Sequence, residues 1–461
     1  MEYMLYSSTR GGKEKLRASE AIIKGLAADG GLFMPERIPE FDFDLYSLQE
    51  SSYQDLAYEV MKLFLDDYSE EELRYCIENA YDDKFDTKNI CELKKTKDTY
   101  YLELFHGRTI AFKDMALSIL PYLLTTAMKK HNINKKVVIL TATSGDTGKA
   151  AMAGFADVEG TEIIVFYPKG GVSKIQELQM LTQKGANTHV VAVHGNFDAA
   201  QGGVKEIFND TEFVNYLSIN NIQLSSANSI NIGRLIPQIV YYVYSYLRLV
   251  REGEIRKGEL INICVPTGNF GNILAAYIAK LMGLPVNKLL CASNDNKVLY
   301  DFFRTGLYDK NRDFILTSSP SMDILISSNL ERLLYLAADK DSEKVKELMK
   351  GLLEKGEYRI DEKMANFISD FVGLYAGEKE QRKAIKSVYE SEGYVLDTHT
   401  AVAYAAYADY KKLSNDEHKT VIASTASPYK FSQSVVFAIE GEKSDEWKSI
   451  EKLEELSRVK I

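Results

Sequence analysis

The sequence is poor in cysteine and proline, carries fewer positive than negative charges, and holds no long apolar run. Its 461 residues include four cysteines, Cys76, Cys91, Cys264 and Cys291, scattered with no CxxC pair. That spacing excludes a disulfide framework or a zinc ribbon, so no metal is expected, and it reads as reduced, packing cysteines of a cytoplasmic protein. Only nine prolines occur and no Pro/Gly/Ser-rich linker, so no hinge between domains is marked. The most apolar stretch, residues 235–250, is interrupted by Pro237, Gln238 and Arg248 and falls short of a bilayer span. Residues 1–14 are polar and charged where a secretory signal needs an apolar centre. Lys plus Arg number 56 against 66 Asp plus Glu, a net charge of −10. No general field then gathers phosphates, which argues against nucleic-acid and membrane partners. Any phosphate must be captured locally.

What is present is the composition of an ordinary folded protein, 45% hydrophobic and 26% charged. A single core stops growing at about 250–300 residues, so at least two compact units are expected. Residues 15–90 read mostly as helix, with helical spacing at 18–27, 52–66 and 70–82 and a break at Gly30-Gly31. From about residue 93 the pattern becomes strand, turn, helix. Short β-branched or apolar runs at 100–105, 136–140, 163–167, 189–193, 260–265, 288–292 and 420–423 alternate with helical stretches at 112–131, 149–157, 173–185 and 273–282. Pro121 is expected to kink the first of these helices. Residues 331–355, charged with regularly spaced leucines, read as a solvated amphipathic helix pair. Strands alternating with helices mean parallel βαβ units and an α/β fold. The resulting division is a mostly helical region at 1–93, a smaller α/β lobe at 94–215 and a larger one at 216–461, with the chain free to cross between lobes.

Two segments have the form of an anion site. The strand at 260–265 runs into Thr267-Gly268-Asn269-Phe270-Gly271-Asn272 and then a helix. Backbone N–H groups at a positive helix end, with glycines permitting close approach, make a phosphate cradle. It lacks the Lys-Ser/Thr of a P-loop and the spacing of GxGxxG, and a ligand-free glycine-rich turn stays open for this segment taken alone. Ser144-Gly145-Asp146-Thr147-Gly148 repeats the arrangement, where Asp146 would repel an anion unless it points away or caps the helix. Lys113, in Ala111-Phe112-Lys113-Asp114, sits among hydrophobic residues at a helix start. Desolvation there disfavours the ammonium and frees the amine for carbonyl attack, whereas taken alone it reads first as a snorkelling surface lysine. A nucleophilic lysine, a phosphate cradle and a terminal strand ending in Ser424-Thr425 are together the three parts that hold pyridoxal phosphate.

At this point the sequence resembles the threonine synthase family of the shorter, bacterial and fungal type. The resemblance is carried by Leu104-Phe105-His106-Gly107-Arg108-Thr109-Ile110-Ala111-Phe112-Lys113-Asp114, Asn228-Ser229-Ile230-Asn231-Ile232-Gly233-Arg234, and Ser327-Ser328-Asn329-Leu330-Glu331-Arg332. Asp29-Gly30-Gly31-Leu32-Phe33-Met34-Pro35-Glu36 near the start and Asp397-Thr398-His399-Thr400-Ala401 near the end also match. It implies two Rossmann-like lobes of the fold-type II, tryptophan synthase beta-like architecture, with pyridoxal 5'-phosphate in the cleft and a helical N-terminal region. It implies conversion of O-phospho-L-homoserine and water into L-threonine and phosphate by a monomer or homodimer. By position it assigns Lys113 to the Schiff base and to catalysis. Gly268, Asn269, Phe270, Gly271 and Asn272 fall on the cofactor phosphate, and Thr425 on the ring nitrogen. Asp146 is placed beside the cofactor, and Ser144, Gly145 and Thr147 beside the substrate. Lys174 and Arg234 are the cations put forward for the substrate phosphate. Arg108 stands where the family has proline, and Ser427 where it has histidine, which removes an imidazole from that segment. His106 and His399 lie inside matched motifs and read either as supporting partners of the site or as structural hydrogen-bonding groups.

Overall fold

The computed structural model describes residues 3–457 except 144 and 196, and the backbone alone at 197, 198, 205 and 209. It divides into two compact units. One comprises residues 1–39, 52–90 and 107–240, the other residues 40–51, 91–106 and 241–461. The expected limit at 215/216 thus falls inside the first unit. The reason is the strand Ile222–Ser225, which pairs in parallel with Lys136–Ala142 and ties its segment to that sheet. Residues 1–93 likewise form no body of their own.

The first unit is built on a four-stranded, wholly parallel sheet, ordered Thr188–Val193, Thr161–Pro168, Lys136–Ala142, Ile222–Ser225. Val137, Ile139 and Leu140 of the strand Lys136–Ala142 are buried. Such a β-branched run, covered by helices, suits a central parallel strand. The N-terminal stretch contains the expected helices Ala18–Lys24, Tyr53–Met61 and Glu70–Ala80. The last opens with a capping box of Ser69 and Glu72, satisfying orphan N–H groups at its start. The same stretch also holds a three-stranded antiparallel sheet of Lys15–Leu16, Tyr6–Ser8 and Phe33–Pro35. Strands of two and three residues are too short to show a period, so patterning passes over them. The single kinked helix expected at 112–131 is two helices, Asp114–Leu117 and Leu120–Lys130. Pro121 lies in the first turn of the second, where the N–H it lacks has no intrahelical partner to lose.

The second unit carries a six-stranded sheet ordered Phe371–Tyr375, Val286–Ser293, Ile261–Pro266, Thr420–Ser424, Thr99–Glu103, Glu92–Thr96. The first five run parallel and the last antiparallel. Ile261–Pro266 is buried at every position. The charged stretch at 331–355 is a helix pair, Leu330–Ala337 and Ser342–Glu354, but only the second has a solvated face. Leu330–Ala337 is buried along its whole length, Glu331 and Arg332 included. Charge in the sequence there marks an internal polar network rather than a water-facing surface. Among the described residues no helix is long and apolar enough to cross a membrane.

Candidate functional site

In an open parallel sheet the carboxyl ends of the strands, where the helices' positive ends gather, are where ligands bind. In the second unit Ile261–Pro266 and Thr420–Ser424 are parallel neighbours, with Cys264 opposite Ile422. Their carboxyl ends therefore bring the turn at 267–272 and Thr425 to one sheet edge. Thr425 is 5% exposed. The helix begins at Gly271, two residues before its expected start, because Phe270 takes the left-handed conformation, φ 65°, and serves as its N-cap. A bulky residue pays roughly 1–2 kcal/mol there. The Phe270 ring offsets this by burial, stacking at 5.9 Å on Phe303 and lying 5.6 Å from Phe371.

The turn fits a phosphate group by two observations. A Cβ on Gly268 would stand 2.4 Å from the Ser321 carbonyl oxygen, so the backbone there leaves no room for a side chain. The buried amide of Asn272 has its Oδ1 taken by the Tyr242 hydroxyl, while its Nδ2 has no hydrogen-bond partner among the described residues. A buried donor left unpaired costs about 1–3 kcal/mol and matches an anionic acceptor. Burial keeps the Tyr242 phenol protonated, its pKa raised well above the ordinary value.

In the first unit Lys113 immediately precedes the helix Asp114–Leu117. Its side chain is 11% exposed, and Nζ lies 3.5 Å from Asp146 Oδ2 and 5.0 Å from the centre of the Phe112 ring. The turn before it is closed by Asp114, whose carboxylate accepts from the Thr109 backbone N–H at 2.7 Å and the Thr109 hydroxyl at 2.6 Å. Asp146 is the first residue of the helix Asp146–Phe155 and accepts from Gln176 Nε2 at 3.0 Å. Its charge is turned to the lysine and an amide. Gly145 has φ 129°, and a Cβ there would meet the Gln176 amide at 2.4 Å. Thr143 Oγ1 accepts from the N–H groups of Gly145 and Gly148, both at 2.9 Å. Thr147 is half-buried on the first turn, and Ser144 lies outside the described residues.

The two cations put forward for a substrate phosphate are placed differently. Lys174 is exposed and pairs with Glu177 at 3.0 Å. Arg234 is buried and donates from NH1 to the Ala227 carbonyl at 2.9 Å. His399 is structural: its Nε2 accepts from the Ser321 N–H at 3.1 Å, which leaves Nδ1 to donate to Asp397 at 3.1 Å. His106 faces Glu103 at 3.2 Å. Sequence reasoning passed over Gln176 and Tyr242 as parts of these turns. Gln176 had a legible signal, since Ser173 and Gln176 form a capping box; Tyr242 lies in a segment that carries the family resemblance, but nothing local tied it to Asn272, 30 positions away.

Comparison with known proteins follows the same lines. Residues 5–81 match the family described as Threonine synthase N terminus, residues 93–425 Pyridoxal-phosphate dependent enzyme, and residues 400–460 Threonine synthase, C-terminal. The chain is 38% identical to threonine synthase of Schizosaccharomyces pombe, over 94% of this chain and 89% of that protein. It is 40% identical to Homo sapiens threonine synthase-like 1, over 91% of this chain and 58% of that protein. It thus spans about three fifths of the threonine synthase-like 1 relatives it matches. The solved threonine synthase from yeast aligns with a TM-score of 0.88 at 36% identity, covering 99% of this chain and 94% of that one. The structure of PLP-bound threonine synthase from Brucella melitensis gives 0.87 at 36% identity, covering 99% and 95%. With family segments matched from residue 5 to residue 460 and one fold shared over nearly its whole length, the chain belongs to the threonine synthase family of fold-type II, pyridoxal-phosphate dependent enzymes.

Proposed function

We propose that this chain is a carbon–oxygen lyase that converts O-phospho-L-homoserine and water into L-threonine and phosphate. The observation that carries the reading is the largely buried Lys113 amine facing Asp146 at 3.5 Å. The match to threonine synthase segments at both ends supports this substrate.

Pyridoxal phosphate, when bound, supplies the electron sink that makes first the α and then the β hydrogen of an amino-acid substrate acidic. Lys113 would hold the cofactor's aldehyde carbon through Nζ, and its amine, when free, would move protons at the α and β carbons of the substrate. Asp146 orients that amine and balances its charge when protonated. The N–H groups of residues 269–272 and Asn272 Nδ2 would hold the cofactor phosphate. Thr425 would place a hydroxyl, rather than a carboxylate, at the ring nitrogen. Gly145, Thr147 and Ser144 would receive the substrate, with Arg234 and Lys174 as cations for its phosphate.

One second reading keeps the same cofactor and lysine but eliminates phosphate from phosphoserine or phosphothreonine; relatives at 40% identity carry the name threonine synthase-like rather than threonine synthase. Phosphate release from the three phosphoamino acids, with L-threonine assayed in parallel, separates the two. Threonine from phosphohomoserine supports the first; phosphate from phosphoserine without threonine supports the second. Borohydride should fix the cofactor to the Lys113 peptide, and Lys113→Ala should abolish both that adduct and turnover. Retention of both would show that another residue does this work.

A further inference from the structure

The turn at 267–272 does not hold its own shape. Two of its carbonyls are fixed from outside by the segment that follows Leu325. Gly268 O accepts from Ser327 Oγ at 2.7 Å. Asn269 O accepts twice from one residue, from the Asn329 N–H at 3.1 Å and from Asn329 Nδ2 at 3.0 Å. Among the described residues there is no cis peptide, and a trans peptide sets its C=O and N–H in opposite directions. Fixing the Gly268 and Asn269 carbonyls toward residues 327–329 therefore turns the N–H groups of Asn269 and Phe270 to the far side. Phe270 is left-handed and Gly271 helical, and such a pair makes successive N–H groups converge into an anion-binding concavity.

The Asn329 amide is itself oriented. Its side chain is fully buried, and Oδ1 accepts from Arg332 NH1 at 2.5 Å, so Nδ2 is the atom left to face Asn269. Arg332 is also fully buried. Desolvation pushes its guanidinium down to about 9, opposed by the charge of Glu331, which leaves it cationic at neutral pH and a firm donor.

Resting on the reading that this turn holds the cofactor phosphate, we infer that Asn329, oriented by Arg332 and assisted by Ser327, is a positioning residue that sets the phosphate-binding N–H groups. The test compares pyridoxal phosphate with pyridoxal, which has the same ring and aldehyde but no phosphate. Holoenzyme is resolved, and the dissociation constant of each is measured for the wild type, Asn329→Asp and Ser327→Ala. The ratio of the two constants isolates what the phosphate contributes. In Asn329→Asp a carboxylate faces the Asn269 carbonyl, and the ratio should fall by about tenfold or more; Ser327→Ala, losing one hydrogen bond, should lower it about threefold. A merely structural role would weaken both ligands equally and leave the ratio in place. Folded variants whose ratio stays within about twofold of wild type would overturn the inference. If Asn329→Asp fails to fold, Ser327→Ala alone decides. A wild type that does not prefer the phosphorylated form overturns instead the reading of the turn itself.

Discussion

Gly268 and Gly145 are glycine for different physical reasons, and their substitution should fail differently. At Gly268 the obstacle is a backbone oxygen, Ser321 O, 2.4 Å from any Cβ, and backbone does not swing aside as a side chain does. Gly268→Ala should therefore spread the turn, raising the pyridoxal phosphate dissociation constant by about tenfold while far-ultraviolet circular dichroism stays native. At Gly145 the obstacle is the Gln176 amide, compounded by φ 129°. Gly145→Ala should displace that amide from Asp146 and lower stability by about 1–3 kcal/mol, read by urea denaturation. Asp416 shows the residue scale away from these turns. Its carboxylate accepts from Tyr410 OH and Asn262 Nδ2 and from the His418 N–H. Although burial raises its pKa, these bonds together hold it down to about 2. A carboxylate depressed in the folded state stabilises above its unfolded pKa and loses that contribution as pH falls through the folded value. Asp416→Asn should thus cost on the order of 1–2 kcal/mol at pH 7. The gap to wild type should close as pH drops from about 4 toward 2, and a gap independent of pH would contradict the assignment.

Among elements, the helix pair at 330–354 shows that a charged sequence does not by itself mean a solvated helix. Leu333 in Leu330–Ala337 is 0% exposed, whereas Leu353 in Ser342–Glu354 is 80% exposed. Leu333→Ala should lower stability by about 2–5 kcal/mol through lost burial and the cavity left behind. Leu353→Ala should change it by less than about 0.5 kcal/mol. Equal effects in guanidinium denaturation would return the first helix to the surface. The element also explains why the carbonyls of residues 268 and 269 are so well fixed. Asn329 is the N-cap of this helix and Arg332 lies in its first turn, so its burial anchors the groups that grip the turn at 267–272.

For the whole molecule, the four cysteines report on folding. All are free and buried. Desolvation pushes the thiols of Cys76 and Cys291 up to about 12 and raises Cys91 and Cys264 as well. The thiolate is the reactive form, so an aromatic disulfide reagent at pH 8 should label almost none of the native protein. In guanidinium it should label all four. Fast labelling of one thiol in the native state would locate a unit that opens on its own.

Much of this was legible locally. The parallel strands announced themselves as β-branched runs followed by glycine-rich turns, and Lys113, Gly145, Asp146 and residues 268–272 were put forward from local pattern, a lysine among hydrophobic residues at a helix start and small-residue turns between a strand and a helix, together with the family resemblance. The scattered spacing of the cysteines pointed to unpaired thiols, and the net negative charge pointed to local capture of any phosphate. Tertiary structure decided what sequence separation hides. The strand Ile222–Ser225 joins a sheet more than 80 positions upstream, Tyr242 orients Asn272 across 30 residues, and Asn329 grips Asn269 across 60. Such bonds form only where packing has excluded water and an unmet polar group is costly, and no local pattern records which distant partner will meet it.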